Sequence, residues 1–283
     1  MEFSVTDGMT IVGDAAGPAD GPRVILLHGG GQTRGAWRKT ASILGDLGYR
    51  AVSIDQRGHG ESDYSPDADY SPDAFKADLL AVMDHLGGTP ILVGASLGGI
   101  ISIFTAGEID PSRVAALILV DVAVRTNPYG VKRIQDFMNA NPDGFASVDE
   151  AADAVAAFST DRPRKRDTSG LLRNLRKRGD RYYWHYDSLF LPVWHEAHVA
   201  SRDRLRAAAQ RITCPTMLLR GDHSDVIGED EVRDLKGLIP HLDFVNIEDA
   251  GHMIVGDKNS AFNEAILRFL AAHPPRHNPS PNT

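Results

Sequence analysis

Four short aliphatic runs, at 23–28 (RVILLH), 50–55 (RAVSID), 90–95 (PILVGA) and 114–122 (VAALILVDV), alternate with helically spaced segments such as 36–47 and 73–86. Runs this short and this continuously apolar suit strands buried on both faces, and strand–helix alternation builds a mostly parallel α/β sheet. Pro72, just ahead of the second helical segment, is a helix-start signal. Upstream, 2–5 and 9–12 flank Asp7-Gly8 and predict an antiparallel hairpin. The rhythm stops between 125 and 206, where no clear strand appears and the spacing is mainly helical. It resumes with a strand at 216–220 (TMLLR), a helix at 230–238, a strand at 242–247 (LDFVNI) and a helix over 259–272. One sheet interrupted by an insertion accounts for this order. Residues 1–124 and 207–273 form the core, 125–206 a helical cap inserted after the sixth strand, and the Pro- and Asn-rich 274–283 a disordered tail.

Composition narrows the class. With 283 residues, 42% hydrophobic and 24% charged, the chain has an ordinary globular make-up. No apolar stretch approaches the ~18 residues a spanning helix needs, and no basic patch followed by an apolar run marks a signal peptide. A single cysteine, Cys214, excludes an intramolecular disulfide framework and fits a reducing compartment, so a cytoplasmic location is expected. The net charge of −8 argues against general nucleic-acid binding. Charge is uneven: between 161 and 211 there are 13 Lys and Arg against 6 Asp and Glu. That is either a solvated helix surface or a positive potential focused over a cleft for an anionic substrate.

The chemistry starts at Gly94-Ala95-Ser96-Leu97-Gly98, a G-x-S-x-G placed directly between a strand and a helix-like segment. That context predicts a nucleophile elbow, a strained turn that lifts the serine hydroxyl out of the sheet. Gly94 and Gly98 lack side chains that would clash in the tight turn. A serine hydroxyl needs a base. Of 11 histidines, His252 follows the last strand and precedes the last helix, where a loop can return to the elbow. The carboxylate that orients the imidazole has three candidates, Asp225, Asp121 and Asp222. Asp225 is preferred because it lies further along the loop after 216–220, while Asp222 sits where it would cap the turn. Two backbone donors for an oxyanion are expected from Leu97, the residue after the nucleophile, and from Gly30 in His28-Gly29-Gly30-Gly31-Gln32, with Gly31 the close alternative. A phosphate-loop reading of these glycines fails because no G-K-[ST] follows.

Together the motifs HGGG at 28–31, DQRGHGES at 55–62, GASLGG around Ser96, GDHSD ending at Asp225 and AGH at His252 resemble the α/β-hydrolase-fold superfamily over nearly the whole chain. The Asp-x-Arg-Gly-x-Gly-x-Ser segment, with Trp37 after the HGGG loop, is similar to the epoxide hydrolase, haloperoxidase-like and C–C hydrolase branch. The resemblance implies a structural turn at Arg57-Gly58 and a non-catalytic His59. Serine at the elbow, where epoxide hydrolases and dehalogenases carry aspartate, disfavours those chemistries. The chain also departs from its relatives by placing Ser224 where they often have the acid, which leaves Asp225 and Asp121 both open.

In the cap the resemblance implies a lid, and Trp184, Tyr186 and Trp194 are candidates to line a substrate pocket; they are equally candidates for the cap's own core. No His/Cys/Asp set has metal-ligand spacing, so neither metal nor cofactor is expected. The reading is a cofactor-free serine hydrolase of a small-molecule carboxylic ester, thioester or lactone, without nucleic-acid or membrane partners. The alternatives are a perhydrolase or non-haem haloperoxidase-like activity with the same triad, and a non-catalytic small-molecule receptor. Oligomeric state is not encoded in any of these features.

Overall fold

The computed structural model describes residues 1–158, 168, 170–252 and 260–274. Its main sheet has eight strands: β1 (Glu2–Ser4), β2 (Thr10–Ala16), β3 (Arg23–Leu27), β4 (Arg50–Ile54), β5 (Ile91–Ala95), β6 (Ala116–Val120), β9 (Thr216–Gly221) and β10 (Leu242–Ile247). Their order is β1-β2-β4-β3-β5-β6-β9-β10. The first two strands pair antiparallel, with Glu2 opposite Val12, and β2 runs antiparallel to β4. From β4 onward every neighbour is parallel.

Alternation along the central strands supplies two apolar layers. Val24 and Leu26, Ile91 and Val93, and Ile118 and Val120 face one side, where they pack with Trp37 and with residues of α1 (Arg38–Asp46) and α9 (Ser260–Ala272). Ile25 and Leu27, Leu92, and Leu117 and Leu119 face the other, against α2 (Pro72–Leu86), α3 (Leu97–Glu108) and α8 (Glu229–Leu238). These strand residues are fully buried. Truncating one of the leucines to alanine should cost about 2–5 kcal/mol. Pro72 occupies the first turn of α2, and Ser71 Oγ accepts the Ala74 N–H at 3.3 Å as the cap.

Between β6 and β9 lie α4 (Pro128–Asn139), α5 (Val148–Phe158), β7 (Leu175–Arg178), β8 (Arg181–Trp184), α6 (Phe190–Ala200) and α7 (Arg202–Gln210). Two features differ from expectation. First, the segment read as lacking strands holds the antiparallel β7–β8 pair, Leu175 opposite Trp184, turned at Gly179 with φ +59°. The pair was hidden because LRKR is charged and exposed rather than alternating. Second, the expected boundary at 206/207 falls inside α7. This helix packs on α3 so closely that a Cβ on Gly107 would sit 2.1 Å from the Ala208 carbonyl oxygen. Residues 275–283, expected as a tail, lie outside the described residues. Among the described residues no helix is long and apolar enough to cross a membrane.

Candidate active site

All six parallel strands end at one edge, where ligand sites of open α/β sheets collect. Ser96 stands there between β5 and α3 with φ +45° and ψ −111°, a left-handed backbone outside every comfortable region for a non-glycine residue. The turn is imposed from both sides. Ser96 N–H donates to the Val120 carbonyl at 3.1 Å, and Gly98 N–H to the His28 carbonyl at 3.2 Å. A Cβ on Gly94 would meet the Gly98 carbonyl oxygen at 2.4 Å, and one on Gly98 the Leu27 carbonyl oxygen at 2.5 Å. No other residue fits either position.

His252 follows β10 and is mostly buried; its Nδ1–H donates to Asp121 Oδ2 at 2.6 Å. Asp121 caps β6 with φ +48°, a conformation Asp tolerates better than most residues. Its carboxylate accepts two further bonds, from Ser224 Oγ–H at 2.6 Å and from Gly221 N–H at 3.2 Å. The expected pairing of Asp225 with His252 is therefore not the one found. Asp225 turns away and accepts from Arg133 Nε of α4 at 2.6 Å. The loop turns at Asp222-His223, with Ser224 N–H donating to the Gly221 carbonyl at 3.0 Å, and it brings Ser224 rather than Asp225 to Asp121. Asp222 accepts the Ala250 N–H at 3.1 Å, tying down the start of the His252 loop. Nδ1 being engaged, the free ring nitrogen of His252 is Nε2, and His252 and Ser96 line one cavity.

Gly30 and Leu97 line the same cavity. Leu97 opens α3, so its N–H has no acceptor within the helix. Gly31 N–H is already engaged by His59 Nε2 at 3.1 Å, whereas Gly30 remains a candidate donor on the cavity wall. Behind the loop sit two buried histidines that sequence reasoning left without a role. His59 Nδ1–H donates to the Arg57 carbonyl at 3.0 Å; His28 Nδ1–H donates to the Gly29 carbonyl at 2.8 Å and its Nε2 accepts from Gln56 N–H at 3.0 Å. Burial pushes their pKa values down, to about 3 for His59 and about 4 for His28, so both act as neutral, single-tautomer struts. The Arg57 turn is itself locked by two bonds to buried Asp78, at 2.6 and 2.7 Å. Cys214 is buried, its thiol pushed up to about 11 by desolvation, and takes no part in the site.

The cavity has a volume of about 350 Å³. Its roof comes from the segment between β6 and β9. Trp184, Tyr186 and Trp194 all line it. Trp184 also packs edge-on against Phe145 and tilted against Phe137, so it belongs to a small core of the segment between β6 and β9 as well. Among the described residues no group of three His, Cys, Asp or Glu side chains is arranged to hold a metal ion.

This fold, with a serine elbow and an Asp–His pair at the carboxyl edge of the sheet, has counterparts among known proteins. Residues 22–259 match the family model described as the alpha/beta hydrolase fold, and the chain belongs to that family. The esterase Rv0045c of Mycobacterium tuberculosis is 29% identical over 267 residues, covering 88% of this chain and 83% of that protein. The sn-1-specific diacylglycerol lipase ABHD11 of Mus musculus is 27% identical over 271 residues, covering 90% and 83%. Among solved structures, E-2-(acetamidomethylene)succinate hydrolase superposes with a TM-score of 0.85 over 96% of this chain and 98% of that one; at 20% identity the likeness is one of fold.

Proposed function

We propose that the protein hydrolyses a carboxylic ester, thioester or lactone of a small molecule through an acyl-enzyme on Ser96. The observation that carries this reading is the 2.6 Å bond between His252 Nδ1 and Asp121, on the cavity into which the Ser96 elbow opens. In the reaction Ser96 Oγ attacks the carbonyl carbon while His252 Nε2 takes its proton. The oxyanion of the tetrahedral intermediate receives the Leu97 and Gly30 N–H groups, and Asp121 stabilises the imidazolium. Collapse breaks the bond to the leaving alcohol or thiol, which takes the proton from His252. Water then attacks the acyl-enzyme with His252 as base, and Ser96 is regenerated when the proton returns to Oγ. Residues 125–206 act as a cap that encloses the apolar part of the substrate. The esterase and lipase among the relatives support the ester class.

The test is an activity panel of p-nitrophenyl esters, lactones and acyl thioesters with the wild type and Ser96→Ala, beside labelling with a fluorophosphonate probe. Ser96→Ala should lower kcat by about 10³-fold or more, because no acyl-enzyme can form. Labelling of the wild type at Ser96 separates an enzyme from a receptor on the same scaffold. A folded Ser96→Ala protein that keeps nearly full activity, or a wild type that takes no label, overturns the assignment.

A further inference from the structure

One side of the cavity is lined by α6 and the start of α7, with a gradient along it. Phe190, Trp194 and His198 recur every fourth residue on α6, the next step is Arg202 at the start of α7, and all four line the cavity. The apolar end lies at the oxyanion loop, where the Phe190 ring is 3.5 Å from the Cβ position of Gly30. At 1.5 Å per residue, His198 is displaced from Phe190 by ~12 Å along the α6 axis, and Arg202 follows beyond the break at Ser201. Across from this face, Gln135 of α4 hydrogen-bonds His195 at 2.8 Å, so the polar end of the cavity has two walls. The aromatic stretch suits a hydrocarbon limb, and the far end does not.

At that end the exposed Arg202 has no acidic counterpart on the described lining. Among the described lining residues the single acid is Asp121, committed to His252, Ser224 and Gly221. Lys132, also on the lining, is neutralised by Asp136 at 2.7 Å, but among the described residues no carboxylate pairs with Arg202. His198 stacks on Trp194 with its Nδ1 buried and without a partner. Burial beside Arg202 lowers its pKa to about 4, so it contributes a polar ring and no second charge. One guanidinium with a neutral imidazole matches a monoanion, and a planar carboxylate can take the guanidinium bidentately. A limb ending in a methyl group would leave the buried His198 Nδ1 unsatisfied and give the exposed Arg202 nothing to bind.

We infer that the substrate is an ester whose apolar limb ends in a carboxylate, seated at Arg202 with His198 beside it. This rests on the ester-hydrolase reading of Ser96. The experiment compares monomethyl esters of α,ω-dicarboxylic acids with methyl esters of monocarboxylic acids of matched length. A second ladder of acetate esters, of ω-hydroxy acids and of simple alcohols, covers a carboxylate on the leaving limb. In one ladder, at one range of lengths, the carboxylate-terminated ester should lead in kcat/KM by about tenfold, the size of a charge-assisted hydrogen bond. That ratio should fall toward one in Arg202→Gln, chiefly through KM, and recover in part in Arg202→Lys. Calorimetric binding of the same pairs to Ser96→Ala reads the subsite without turnover, so a failure of the hydrolase reading and a failure of this one are told apart. A methyl-terminated preference at every length in both ladders, or a carboxylate preference that survives Arg202→Gln, overturns the inference.

Discussion

The loops after β6 and after β9 reach the same edge of the sheet, and each presents an aspartate to the region of His252. Asp121 is 1% exposed and holds three donors; Asp225 is 26% exposed and holds a single arginine from the cap. The two loops are equally long, and the one after β6 supplies the partner of His252 because its first residue is fixed. Asp121 N–H donates to the Leu219 carbonyl at 2.8 Å, one residue past the end of β6. The loop after β9, expected to supply the acid itself, contributes Ser224, which steadies the Asp121 carboxylate instead. Position further along the loop was the argument for Asp225, and position is the wrong variable. Side-chain direction decides, together with the number of donors that hold the carboxylate in place.

The sharpest way to break this comparison is a pair of isosteric substitutions. Asp121→Asn should lower kcat by about 10²–10⁴-fold with KM little changed, because an amide cannot stabilise the imidazolium form of His252. Steady-state kinetics on a protein shown to be folded by circular dichroism checks it. A mild loss here beside a severe one in Asp225→Asn would return the role to Asp225.

A second contrast sets the oxyanion loop against the triad. His59 bonds to none of Ser96, Asp121 and His252, yet its Nε2 holds Gly31, the neighbour of the proposed oxyanion donor Gly30. His59→Leu should lower kcat by about tenfold, less than the 10²–10³ for outright loss of a donor. His59→Gln, whose Oε1 can accept the same N–H, should recover most of the rate. Equal losses in both variants would reduce His59 to packing against Phe190. The same histidines give a pH signature. Unfolded, they bind protons near pH 6.5; folded, not until about 4 for His28 and about 3 for His59. Between those limits the unfolded chain carries more protons, so stability rises with pH and is lost as pH falls below about 6.5. Urea midpoints across that interval should slope less steeply in His59→Gln than in the wild type.

Much of the sheet edge was legible because strain leaves few options. Only glycine fits at 94 and 98, and only a strand-to-helix turn gives Ser96 its backbone. The buried runs of β3, β5 and β6 were equally plain, each apolar on both faces. The cap was not, and for physical reasons. Its β7, LRKR, is charged and exposed beyond Leu175, so it carries no apolar period of two, and the aromatic, half-buried β8 is only four residues long. The stripe from Phe190 to Arg202 changes character from aromatic to basic along its length, and so resembles neither a core face nor a surface face. His28 and His59 were hidden for another reason: burial neutralises them, and no motif announces a neutral strut.

The smallest expected effect belongs to Asp225, and it sharpens the comparison from the other side. Its bond to Arg133 joins the loop after β9 to α4, and Arg133 also donates to the Phe158 carbonyl at 2.8 Å and lies over the Phe158 ring. Phe158 lines the cavity, so the aspartate touches the substrate region only through two intermediates. The pair is partly solvated, Arg133 being 36% exposed, and such pairs contribute about 0–1 kcal/mol. Asp225→Asn should therefore leave kcat within about threefold and lower the unfolding free energy by no more than about 1 kcal/mol. What it should move is the fit of the cap, through a rise in KM for bulky acyl groups and none for acetate. Measuring kcat and KM over an acyl series in Asp225→Asn and Arg133→Gln decides this. Matching KM shifts in the two variants mark a shared cap contact, whereas a kcat loss in Asp225→Asn that Arg133→Gln lacks would place Asp225 back beside His252.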